Sequence, residues 1–177
     1  GLLYDGARNT SALEVGDDAF VLDGFSKRYA MTGFRLGWMV SPADARRRLQ
    51  TLQQNLFISA SSFVQRAGIA ALAEGAPMAE AMRQACEARR GLLVDGLRRL
   101  GFGIDRDPEG AFYVLADARR FDGDSRALAF RLLEEARVGT TPGIDFGVAA
   151  EGRLRFCYAR SPATIEKALE RMAPVLA

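Results

Sequence analysis

From Met78 to Leu100 apolar residues return at helical spacing. Met82, Ala85, Cys86, Leu92, Leu93, Leu97 and Leu100 fall on one stripe, which predicts a long helix with one buried face. Gly75-Ala76-Pro77 interrupts a preceding helix that runs through Gln65, Ile69 and Leu72, itself preceded by a loop and cap at Ser59-Ala60-Ser61-Ser62. Another helix is expected from Pro42 to Leu56, with Ser41 as cap, Pro42 at its first position and Asp44 at its positive end. The run Asp17-Asp18-Ala19-Phe20-Val21-Leu22-Asp23 predicts a buried strand after an acidic turn, and Phe34 to Val40 the strand that returns. Further on, Gly101-Phe102-Gly103-Ile104 ends the long helix and opens a strand, and Gly110 to Leu115 forms a second. Ser125 to Arg137 reads as an amphipathic helix, with Leu128, Phe130, Leu132 and Leu133 apolar. Val138 to Gly143 is a short strand ending in a turn, followed by Phe146-Gly147. Arg153 to Ala159 alternates as a strand, and Ser161-Pro162 starts a last helix whose Ile165, Leu169, Met172 and Leu176 face a core.

Composition narrows the chemistry. A chain of 177 residues with 49% hydrophobic content can bury one good core and hold one domain or two small pieces. The net charge of +2 and the interspersed acids leave no basic stripe with interleaved aromatics, so nucleic acid is not an expected partner. Arg46-Arg47-Arg48 reads as a solvated helix face. Cys86 and Cys157 are far apart without CxxC spacing, and histidine is absent. Zinc sites, His-based triads and His general bases are therefore not expected, and no metal site is assigned. No apolar segment approaches a membrane span and no signal peptide opens the sequence, so no membrane partner and a cytoplasmic, reducing location are expected.

The basic residues then single out one position. Of 24, only Lys27 and Lys167 are lysine, and the rest are arginine. Arginine keeps its proton near neutral pH, whereas a lysine amine can be brought into the nucleophilic range and attack a carbonyl. Lys27 lies in Ser26-Lys27-Arg28-Tyr29-Ala30-Met31-Thr32-Gly33-Phe34-Arg35-Leu36-Gly37-Trp38. Taken singly, Lys27 and Arg35 read as solvated surface residues and Gly33 and Gly37 as turn glycines. Together, the pattern S-K-x-x-x-M-T-G-x-R-L-G-W resembles the Schiff-base segment of fold-type I pyridoxal-phosphate (PLP) enzymes, the aspartate-aminotransferase-like class I/II family.

The resemblance covers nearly the whole chain but only the C-terminal half of the family's length. It implies an α/β fold, the C-terminal part of a PLP-dependent transferase: residues 1–78 as the end of the large α/β/α cofactor domain, and 79–177 as the small C-terminal domain entered through a long bridging helix. It implies Lys27 as the catalytic lysine that holds the cofactor aldehyde, with Arg35 on the cofactor phosphate and Ser26 beside it. It also implies an arginine that grips the substrate α-carboxylate in the strand after the Pro-Gly…Phe-Gly turn. The family's spacing selects Arg155, with Arg153 two residues earlier on the same strand face as the competing candidate. A Gly-x-Phe element at Gly110-Ala111-Phe112 would bring Phe112 and Tyr113 to the substrate entrance, although packing explains them equally.

The expected activity is transamination between an L-amino acid and a 2-oxo acid in a homodimer. The alternatives are a lyase or synthase of the same fold and a non-enzymatic fragment. The family's upstream aspartate, tyrosine and asparagine cofactor contacts have no counterpart here, and the first methionine is Met31. The expectation is therefore a truncated, inactive piece of an aminotransferase.

Overall fold

Gly24 faces Gly37 across an antiparallel ribbon of β1 (Val21–Gly24) and β2 (Gly37–Val40). A Cβ on either would meet a backbone carbonyl oxygen at 3.1–3.2 Å, so this close approach needs residues without side chains. The chain leaves β1 directly into a single helical turn, α1 (Phe25–Arg28), and the Phe25 N–H donates to the Leu36 carbonyl at 3.2 Å. A 3-10 turn at Thr32–Phe34 and a left-handed Arg35 (φ +53°) bring the chain back into β2. Three helices follow: α2 (Arg46–Leu56), α3 (Ser62–Glu74) and α4 (Ala76–Leu100).

The computed structural model describes residues 2–177, which fall into two compact units. The first is Arg8–Met82, and the second joins Leu2–Ala7 to Arg83–Ala177. Residues 2–7, placed with the first part by sequence reading, thus pack with the second. The core of the first unit is small: Phe25, Met31 and Val64 are its buried apolar side chains, and Phe25 and the Leu36 side chain close over Gly68.

The second unit is built on a three-stranded antiparallel sheet in the order β3 (Tyr113–Asp117), β5 (Arg153–Cys157), β4 (Thr141–Pro142). Val114, Ala116, Leu154 and Phe156 point inward, and Tyr113, Leu115, Arg153, Arg155 and Cys157 point outward. Against the inner face lie the C-terminal part of α4, α5 (Ser125–Arg131) and α6 (Pro162–Leu176), with Val94, Leu97, Leu128, Leu132 and Tyr158 fully buried. Gly96 on α4 lets the Leu169 side chain of α6 seat against the helix backbone; a Cβ there would collide with it. Gly101 (φ +101°) ends α4, and the N–H groups of Gly101 and Phe102 cap the Leu97 carbonyl at 3.1 and 3.0 Å.

Several boundaries move from their sequence-based positions for identifiable reasons. The first strand is short and open, with Leu22 73% exposed, because β2 is its only partner and no layer covers it among the described residues. The returning strand begins at Gly37, so Arg35 sits in a turn and not on a strand. The helix expected from Pro42 starts at Arg46: the Pro42 carbonyl closes a preceding turn with the Ala45 N–H at 3.2 Å, and Ser41 makes no cap. Gly101 to Ile104 contributes one isolated bridge, Gly103 to Asp117. Left-handed Ala111 delays β3 to Tyr113. β4 stops at Pro142, which has no N–H to extend a ladder. Asp124 caps α5, which loosens into a π turn at Leu132–Ala136 and is ended by left-handed Arg137. The last helix starts as expected on a Ser161 cap, with Ile165, Leu169 and Met172 buried.

Residues 2–7 are held by Arg90, a 9% exposed guanidinium on α4. It donates to both Asp5 carboxylate oxygens at 2.5 and 3.0 Å and to the Pro108 carbonyl at 2.8 Å, and lies 4.9 Å from the Tyr4 ring centre. Tyr4 is itself buried, its hydroxyl donating to the Ala111 carbonyl and its N–H to the Glu109 carbonyl at 3.0 Å. Arg90 holds the Asp5 carboxyl below its usual range. Burial raises the hydroxyls of Tyr4 and Tyr158 above theirs, so both stay neutral hydrogen-bonding groups near pH 7.

Two outcomes are expected. Leu97→Ala removes a fully buried side chain and should destabilise the second unit by about 2–5 kcal/mol in denaturant titration. Because the Asp5 carboxyl is lowered on folding, its contribution is present above the unfolded value of about 4 and is lost as pH falls through the lower folded one. The protection factor of the Tyr4 amide, its exchange rate corrected for the intrinsic pH dependence, should therefore fall on acidification through that range in the wild type. Asp5→Asn should exchange fast throughout and lose that pH dependence.

Candidate functional site

Lys27 is exposed on α1, and its amine makes no hydrogen bond or ion pair with any described residue. Half-buried Ser26 precedes it, also without a side-chain partner among the described residues. Arg35 is exposed; its Nη1 donates to the Thr32 carbonyl at 2.9 Å, and no carboxylate lies within 4 Å among the described residues. Asp23, the acid nearest Lys27 in sequence, accepts the Gly24 N–H at 2.6 Å. Phe25, hydrogen-bonded to Leu36, sets the backbone of α1 beside that of Arg35–Leu36. An amine, a hydroxyl and a guanidinium edge thus stand on one short ribbon-and-turn segment, with donors unspent. Such a set suits an anion that also carries a carbonyl group.

Arg155 forms a separate cluster in the second unit. It is the centre of β5, flanked by Leu115 on β3 and Thr141 on β4. Its guanidinium lies 4.2 Å from the Tyr113 ring centre and 4.8 Å from that of Phe146, and its Nη2 donates to Thr141 Oγ1 at 3.1 Å. Two rings and one hydroxyl hold its plane while no acid neutralises it, leaving a planar fork with donors to spare. Arg153 is differently placed. It pairs in register with Asp117, and its charge helps hold the Asp117 carboxyl below the usual range, behind the larger effect of Arg119. Phe112 packs against the core, whereas Tyr113 stacks on Arg155. The roles of Phe146 and Thr141 were not read from the sequence; their signal, the Pro142-Gly143…Phe146 turn, was visible, but not its register against Arg155.

Residues 2–172 match the family model for aminotransferase class I and II. The chain belongs to this family. Within the class I and II aminotransferases it is 40% identical to the valine–pyruvate aminotransferase of Mycobacterium tuberculosis, over 97% of this chain and 45% of that protein. It is 36% identical to the aspartate/prephenate aminotransferase of Thermus thermophilus, over 99% of this chain and 45% of that protein. A crystal structure of an aminotransferase from Mycobacterium tuberculosis superposes with a TM-score of 0.92 at 39% identity, covering 99% of this chain and 46% of that one. The Thermus thermophilus aspartate aminotransferase with maleate gives 0.92 at 37% identity, covering 99% and 46%. The chain thus spans a little under half the length of the relatives it matches. Class I and II aminotransferases are in general PLP-dependent and act on amino and 2-oxo acids. No helix among the described residues is long and apolar enough to cross a membrane.

The clamp on Arg155 yields a measurable outcome. Each ring contributes about 0.5–2 kcal/mol to holding a guanidinium. In Tyr113→Leu and Phe146→Leu the Arg155 Nε–H should exchange several-fold faster by NMR, while the amides of Leu115 and Leu154 keep their protection.

Proposed function

We propose that this aminotransferase-family chain contributes the lysine-bearing part of a protein that carries out PLP-dependent transamination between an L-amino acid and a 2-oxo acid, the chain by itself being inactive. The observation that carries the reading is the unneutralised pair of Lys27 and Arg35 on one backbone segment, in a chain that otherwise uses arginine almost throughout. The donor set fits the cofactor. Lys27 would hold its aldehyde carbon, and Arg35 with the Ser26 hydroxyl its phosphate, which a planar fork meets better than a point charge does. Arg155 would take the α-carboxylate of the amino acid. Its free edge and the absence of a carboxylate neighbour favour it over Arg153, which faces Asp117.

When bound, PLP supplies the electron sink that lets a substrate Cα proton leave. The chain's own residues decide where that proton goes. Arg155 fixes the carboxylate in one plane and thereby the direction of the Cα–H bond. Lys27 would take the proton from the substrate Cα; with no histidine in the sequence it is the suitably basic side chain on this segment. In this reading residues 1–78 come from the large cofactor domain, although residues 2–7 of them pack with the second unit, and 79–177 from the small domain; the working form is a cytoplasmic homodimer.

The test is to incubate the protein with PLP, reduce with borohydride and map the label by mass spectrometry. Saturable modification of Lys27, with little at Lys167 or the N-terminal amine, is expected, and Lys27→Ala should abolish it. Labelling of Lys27 no faster than Lys167 would remove the basis for assigning it to the cofactor.

A further inference from the structure

The second unit carries a cavity of about 440 Å³ that neither cluster above uses. Four cations line it: Arg137 from the turn after α5, Arg160 from the loop before α6, and Lys167 and Arg171 from α6. Its floor is apolar, formed by Leu93 of α4, Phe156 of β5, and Ile165 and Met172 of α6. No acidic residue lines it. None of the four cations makes an ion pair or side-chain hydrogen bond with a described residue, although Glu134, Glu135, Glu166 and Glu170 are close in sequence.

The asymmetry is local. The chain as a whole is balanced, 24 basic residues against 22 acidic, and seven arginines elsewhere do form ion pairs with neighbouring carboxylates. Lys167 and Arg171 stand one helical turn apart, a spacing at which like charges repel. Positive charge gathered over an apolar floor is the arrangement that takes up an anion with an apolar body: the charges meet its acidic group, and the floor removes its hydrocarbon from water.

We infer that this cavity is a binding site for a small organic anion, a phosphate monoester or a carboxylic acid with an aromatic or aliphatic body. None of Lys27, Arg35 and Arg155 lines it. Arg160 and Arg171 hold the acidic group, and Phe156 and Met172 contact the body.

The experiment is a two-dimensional amide NMR titration of the protein with phenyl phosphate, and in parallel with inorganic phosphate. Saturable shifts are expected at Gly139, Ile165 and Ala168, and phenyl phosphate should bind at least about fivefold more tightly than inorganic phosphate. Affinity should fall as salt is raised from about 50 to about 200 mM, as expected of a charge-driven site. Arg160→Ala with Arg171→Ala should weaken binding by about tenfold or more, whereas the exposed pair Arg46→Ala with Arg48→Ala should leave it unchanged. All four positions are exposed, so the variants keep their fold. Shifts that do not saturate, or an unchanged affinity in the Arg160/Arg171 variant, would overturn the site. Equal affinity for the two ligands would overturn the role of the apolar floor. Signals from Lys27 to Gly37 report the proposed cofactor segment independently.

Discussion

Arg90 cannot give up its charge, and it is almost wholly out of water. That constraint organises the second unit. A buried guanidinium needs partners, and here a carboxylate, a backbone carbonyl and an aromatic face meet it, while its Nε–H makes no hydrogen bond with a described residue. The partners come from two distant stretches of chain: Asp5 and Tyr4 from residues 2–7, and Pro108 from the turn between α4 and β3. Because Asp5 is open to solvent on its far side, fork geometry and ring contact matter more than bare Coulomb attraction. Tyr4 then carries the arrangement inward, since its hydroxyl and that of Tyr158 meet at the same Ala111 carbonyl.

The two kinds of cation divide the work. Arginine is used where a charge must be locked in place, as at Arg90, at Arg98 with Asp107 and at Arg119 with Asp117. Arg155 is an intermediate case, held firmly in its plane by rings but left without a counter-ion. Lys27 is neither locked nor neutralised. A flexible amine that must form and release a bond needs that freedom, whereas an arginine that only orients a carboxylate gains from being held.

The parts of the fold that were legible in the sequence are those with long, regular patterns. The stripe through Cys86, Leu93 and Leu97 and the Ser161-Pro162 start of α6 are local signals, and they hold. What was not legible depended on pairing between distant segments. Nothing near Phe34 announces that Arg35 turns left-handed on the way to the Gly24–Gly37 pair, which joins segments twelve or more residues apart. Leu22 looked like a core residue by its neighbours, yet burial requires a covering layer that a two-stranded ribbon lacks. The motif residues Ser26, Lys27 and Arg35 were identifiable by type and spacing, and Arg155 by its strand. The aromatic clamp needed the register of β3, β4 and β5, which no single stretch encodes.

The path of the chain through its two units has one more consequence. It enters the second unit at residues 2–7, leaves for residues 8–82 and returns at Arg83. The point of departure and the point of return are neighbours: Arg83 donates to the Leu3 carbonyl at 3.2 Å, and Glu87 accepts from the Asp5 N–H at 3.4 Å. Both ends of residues 8–82 are therefore tied to one place in the second unit. Local opening there would release the two ends together, so the contacts of Leu3 with Arg83 and of Asp5 with Glu87 act as a single clasp.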